Sequence, residues 1–148
     1  MTTIAEFMTA LHRKCDEGLA AAEEAVSSKD WDKARADWSD FAAEMALHFA
    51  QEETTLFPSF ETATGITEGP TSVMRMEHEQ MRHLLSELSK AVEARDESEF
   101  LGLSETLMVM IQQHNMKEEQ MLYPMCDRAL SDAGAIIAEI QAVTADGE

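Results

Sequence analysis

Two stretches decide the fold, 48-HFAQEETTLFP-58 and 114-HNMKEEQMLYP-124. They share His, Glu, Glu, Leu and Pro in register, with Phe57 against Tyr123 before the proline. The offset is 114 − 48 = 66, and it also carries His12 onto His78, Met8 onto Met74, Leu19 onto Leu85 and Asp30 onto Asp96. One shift that aligns histidines, cap residues and prolines together marks a duplicated helical hairpin, with repeats over about residues 3–58 and 70–124.

Working outward, the helix breakers cluster. PSFETATGITEGP (58–70) is the longest stretch rich in Pro, Gly, Thr and Ser, and it separates the halves. Shorter breaks fall at SSKD (27–30) and RDES (95–98). Asp30 and Asp96 suit N-caps, and Glu99 follows Asp96 at capping-box spacing. Pro124 is expected to end or kink a fourth helix, and Ser131-Asp132 to start a short fifth one. The spacing predicts helices near 3–27, 31–57, 71–94 and 97–123, with a C-terminal helix near 132–143. The expectation is an all-α, up-down-up-down antiparallel four-helix bundle, forming one domain over 1–148.

Each helix has an inward stripe stepping by three and four residues. The stripes are Met8, His12, Cys15, Leu19, Ala22, Val26; Trp38, Phe41, Met45, His48, Glu52, Leu56; Met74, His78, Met81, Leu85, Leu88, Val92; and Leu107, Ile111, His114, Glu118, Leu122. Every stripe carries a histidine, and two also carry a carboxylate. Their heights agree. His12 lies 29 − 12 = 17 residues before the first turn and His48 lies 48 − 29 = 19 after it. At about 1.5 Å per residue the chain climbs and returns to the same level. His78 and His114 flank residue 96 by 18 each, so the four imidazoles converge on one layer of the bundle.

Six buried polar side chains in one layer are expensive unless something pairs them. An imidazole offers a lone pair, and a glutamate offers negative charge with two oxygens able to bridge two cations. His-x-x-x-Glu sets both on one helix face. Bundle cores use such sets for carboxylate-bridged metal pairs. Four nitrogens and two carboxylates suit iron best; manganese and zinc fit the same donors.

Bulk composition narrows the partners. The 148-residue chain carries 29 acidic and 11 basic residues, a formal net charge of −18. That repels nucleic acid and anionic membrane surfaces. No apolar run approaches a membrane span, and the N-terminus lacks the pattern of a secretory signal. Cys15 and Cys126 are too few for a disulfide framework. The expected setting is cytoplasmic.

His12, His48-x-x-x-Glu52, His78 and His114-x-x-x-Glu118, with the trailing LFP and LYP, resemble the haemerythrin-like (HHE cation-binding) domain. The resemblance implies a non-haem di-iron centre, bridged by an oxo or hydroxo group. His12 and His48 would hold one iron, His78 and His114 the other, with Glu52 and Glu118 bridging. Oxygen-carrying haemerythrins have a second histidine four residues after the helix 3 ligand; here that position is Arg82. Their helix 4 acid would fall at Glu119, whereas the stripe and the repeat favour Glu118.

Other residues draw weaker readings. His83 sits five residues after His78, about 140° round the helix and off the stripe, yet it remains a candidate ligand or neighbour of one. Glu53 and Glu119 are expected on solvated surface, within reach of Arg82, with Glu119 kept as a second candidate for the helix 4 ligand. Cys15 reads as a small buried hydrophobe, Tyr123 as a packing residue at a helix end, and Trp31 and Trp38 as core. The functional expectation is a di-iron protein that binds or reacts with oxygen, nitric oxide or peroxide for sensing, buffering or storage. The alternative is a di-iron enzyme for peroxide removal, nitric oxide reduction or iron-centre repair. The sequence names no protein partner.

Overall fold

A computed structural model describes residues 1–144. Among them the chain is helix and turn, without strands. The elements are α1 (Ile4–Ser27), α2 (Trp31–Gln51), α3 (Phe57–Thr64), α4 (Pro70–Glu93), α5 (Glu97–Lys117), α6 (Tyr123–Ala129) and α7 (Ala133–Ala142). π-helical turns at Glu52–Leu56 and Glu118–Leu122 join α2 to α3 and α5 to α6 without a break. α1 packs on α2 and α4 on α5, while α2 meets α4 and α1 meets α5. This is the up-down-up-down bundle that the spacing predicts.

The caps explain where helices start and turn. Thr3 and Glu6 form a capping box at α1, and Asp30 and Asp96 accept from Lys33 N–H and Glu99 N–H. The two hairpin turns share one construction. Lys29 N–H donates to Val26 O and Asp30 N–H to Ala25 O; Arg95 N–H donates to Val92 O and Asp96 N–H to Ala91 O. Lys29 and Arg95 are left-handed, at φ 57° and 52°. Each aspartate thus closes one helix with its N–H and opens the next with its carboxylate.

The prolines behave differently from the expectation. α2 and α5 do not stop at Pro58 and Pro124; the helical path runs on to Thr64 and Ala129. A proline has no N–H to give, and its ring crowds the carbonyl four residues back. The chain relieves this by widening the preceding turn. Phe57 N–H reaches back five residues to Glu52 O, and Tyr123 N–H to Glu118 O. The link between halves shortens accordingly to residues 65–69, entered through Gly65 at φ 74°.

Nearly all stripe residues are buried; Leu85 is half-buried. The core has two apolar parts. One holds Leu19, Trp38, Phe41, Phe100 and Leu107 near the hairpin turns. The other holds Ile4, Met8, Leu56, Phe57, Phe60, Leu122, Tyr123 and Ile140 at the opposite end. Asp127 of α6 accepts from Ile4 N–H and Ala5 N–H, fastening that end to α1. α7 packs on α1 and the first π turn, and Gln51 donates to Ile140 O. The histidine layer lies between these parts, shielded from water on both sides. No helix among the described residues is long and apolar enough to cross a membrane.

Candidate metal centre

Each of the four helices that carry a stripe histidine delivers its imidazole Nε2 to one small volume. His12 Nε2 lies 3.1 Å from His48 Nε2 and 3.1 Å from Glu118 Oε1. His78 Nε2 lies 3.0 Å from Glu52 Oε1, His48 Nε2 3.5 Å from that oxygen, and His114 Nε2 3.3 Å from Glu118 Oε1. All six residues are buried, Glu52 and Glu118 completely. Two overlapping donor sets could hold cations: Glu52, His78, His114 and Glu118, and His12, His48 and Glu118, with ligand atoms within 4.8 Å of one another. Their chemistry fits a metal pair. His114 Nε2 and Glu118 Oε2 are buried with no hydrogen-bond partner, leaving lone pairs directed into the cluster.

Carboxylates hold the outer nitrogens. His12 Nδ1 is 2.7 Å from Glu119 Oε2, His78 Nδ1 2.7 Å from Glu53 Oε2 and His114 Nδ1 2.8 Å from Glu77 Oε1. An N–H donated to a carboxylate fixes the ring and its tautomer and raises the basicity of the other nitrogen. Glu53 and Glu119 are therefore not idle surface charges. Each reaches across to an imidazole of the other repeat, and Glu53 also takes both guanidinium nitrogens of Arg82, at 2.7 and 3.0 Å. Glu77, absent from the sequence reading, pairs in addition with Lys117. The doubled EE of both repeats was the available signal for two of these three.

Tyr123 is the larger correction. Its hydroxyl is fully buried, 2.6 Å from Glu52 Oε2, 2.9 Å from Glu118 Oε1 and 3.0 Å from His12 Nε2. The π turn widens the backbone just before Tyr123 and helps bring this ring to the centre. Its repeat equivalent, Phe57, brings no hydroxyl and lies 5.7 Å from the His78 ring, nearly parallel, while Phe49 stacks on that ring at 4.2 Å. His83 is exposed and belongs to neither donor set; Glu119 likewise lies outside both.

Electrostatics follow from crowding four imidazoles and two carboxylates. Burial opposes charge on His12 and His78, but hydrogen bonds to Glu118 and Glu119, and to Glu52 and Glu53, outweigh it and raise each to about 9. Burial drives His48 down to about 3, against the pull of Glu52. Burial alone would raise Glu118, yet the closeness of Glu52, His114 and His12 holds it well below the carboxylate range. Burial together with the Glu118 and Glu52 charges keeps the Tyr123 phenol protonated. Cys15, pushed up to about 12 mainly by burial, is an inert thiol.

On the bundle-core side, His12, His48 and His114 line a cavity of ≈10 Å³ with Cys15, Met45, Phe49, Met81, Ile111 and Asn115. That is about the room one water needs, behind a largely apolar wall.

Fold and centre together define a cation-binding helical bundle with a buried His/Glu cluster. The Hemerythrin HHE cation binding domain model matches residues 3–126, and the chain belongs to that family. It is 29% identical over 134 residues to an uncharacterised haemerythrin-like protein of Schizosaccharomyces pombe, covering 89% of this chain and 63% of that one. The chain thus spans under two thirds of that relative's length. No solved structure matches it closely enough to count as a relative.

Proposed function

We propose that the chain is a non-haem di-iron protein that binds or reacts with oxygen, nitric oxide or peroxide, for sensing, buffering or storage. His12 and His48 would hold one iron and His78 and His114 the other, with Glu52 and Glu118 shared between them. Manganese or zinc would meet the same donors. The observation that carries this reading is the pair of donor sets joined through Glu118 in a buried layer. Bound iron would supply an open coordination position and redox chemistry.

The protein's own groups supply the rest. The apolar wall of Met45, Phe49, Met81 and Ile111 keeps bulk water from the histidines, and the small cavity favours diatomic ligands and peroxide over organic substrates. Glu53, Glu77 and Glu119 orient three of the imidazoles. Tyr123 offers a hydrogen-bond donor inside the buried centre.

Iron-loaded protein should show an absorption band that changes on exposure to oxygen, nitric oxide or peroxide. A spectrum indifferent to all three would remove the reading. The buried Tyr123 hydroxyl favours one second reading, an enzyme for peroxide removal, nitric oxide reduction or iron-centre repair, because it sets a fixed hydrogen-bond donor where charge on a reacting oxygen would develop. Steady-state consumption of peroxide or nitric oxide that disappears in His48→Ala would favour the enzyme; stoichiometric reaction alone would favour the binding protein.

A further inference from the structure

The 66-residue repeat is broken in two places that matter to the centre. Three of the four histidines donate from Nδ1 to a carboxylate, but His48 Nδ1 is buried with no partner. His48 is the equivalent of His114, whose partner is Glu77, and 77 − 66 = 11 is Leu11. By the repeat, an aliphatic residue occupies the sequence position equivalent to that of the fourth carboxylate. The second break is Tyr123 against Phe57: the Tyr123 hydroxyl engages Glu52 Oε2 on the His12 side, while Glu52 Oε1 faces His78. The donor sets are unequal in the same sense, four residues around His78 and His114 and three around His12 and His48.

We propose that the two metal positions differ in strength, the His78/His114 position being the tight one and the His12/His48 position the labile one that loads last and empties first. The inference rests on the di-metal reading above. Its cause is specific to these residues. A carboxylate behind an imidazole strengthens the metal-facing nitrogen, and loss of such a partner costs about 10–100-fold in metal affinity. The tight position has both partners, Glu53 and Glu77; the labile position has Glu119 alone.

The test is calorimetric titration of the metal-free full chain with Fe2+ under anaerobic conditions, repeated with Mn2+. Wild-type protein is expected to take up metal in two steps at least about tenfold apart. Glu77→Gln should weaken the first step by about 10–100-fold and bring the two together, while Leu11→Glu should tighten the second about tenfold and leave the first in place. Two indistinguishable wild-type steps, or a Glu77→Gln effect confined to the second step, would overturn the inequality and leave the di-metal reading standing. No uptake at all would instead contradict the di-metal reading itself. The wild-type isotherm decides the inequality even where a variant fails to fold.

Discussion

At the residue scale, one hydroxyl separates the two sides of the centre. Phe57 occupies the position equivalent to Tyr123 and is itself fully buried, so Tyr123→Phe should preserve the packing. It would leave Glu52 Oε2 without its 2.6 Å donor. We expect the metal-free protein to lose about 2 kcal/mol in urea denaturation, the usual worth of a hydrogen bond to a charged group. An unchanged midpoint would mean that the hydroxyl contributes nothing there. The inner ring of residues was legible because polar side chains interrupt apolar stripes at matched heights. The outer ring was not. Glu53 and Glu119 lie one residue off the stripe, about 100° round a regular helix, and only the neighbouring helices show what they reach. Glu77 has no counterpart in the other repeat, so the internal comparison was blind to it.

At the element scale, the hairpin turns and the proline turns divide the lesson. The breaks at 27–30 and 95–98 were readable because both aspartates are strong caps. Their cost was hidden: Lys29 and Arg95 adopt a left-handed backbone normally left to glycine. Lys29→Gly and Arg95→Gly should each stabilise the bundle by about 1 kcal/mol, read as a raised denaturation midpoint. At Gly65, already left-handed, Gly65→Ala should destabilise by about 1 kcal/mol. Helix ends at Pro58 and Pro124 were misjudged because a one-residue widening of the turn removes the steric conflict that proline creates. Periodicity alone does not register that widening, yet it starts at Glu52 and Glu118 themselves.

At the scale of the molecule, four helices, two apolar cores and one charged layer form a single energetic system. In the metal-free protein, His12 and His78 are raised from 6.5 to about 9. Their stabilising contribution is complete below pH 6.5 and is lost as pH rises through about 9. His48 is lowered to about 3 and Glu53 to about 2, so their contributions are lost as pH falls from 6.5 and 4.5 respectively. Stability of the metal-free chain should therefore peak near pH 6.5 and fall on both sides, by about 1.4 kcal/mol per pH unit for each proton involved. Thermal denaturation from pH 4 to 10 checks this; a monotonic rise toward alkaline pH would contradict it. Cations bind the deprotonated Nε2, so metal uptake should release protons and weaken as pH falls below about 9.

The central claim is that His12, His48, Glu52, His78, His114 and Glu118 together hold a pair of metal ions. The most direct test is metal analysis after anaerobic reconstitution with Fe2+ and removal of excess iron, on wild-type protein and on the Glu52→Ala/Glu118→Ala double variant. The account predicts about two irons per chain for wild-type and a near-complete loss in the double variant, since both proposed bridges are gone. Wild-type protein without iron, or a double variant that still loads fully, would contradict it.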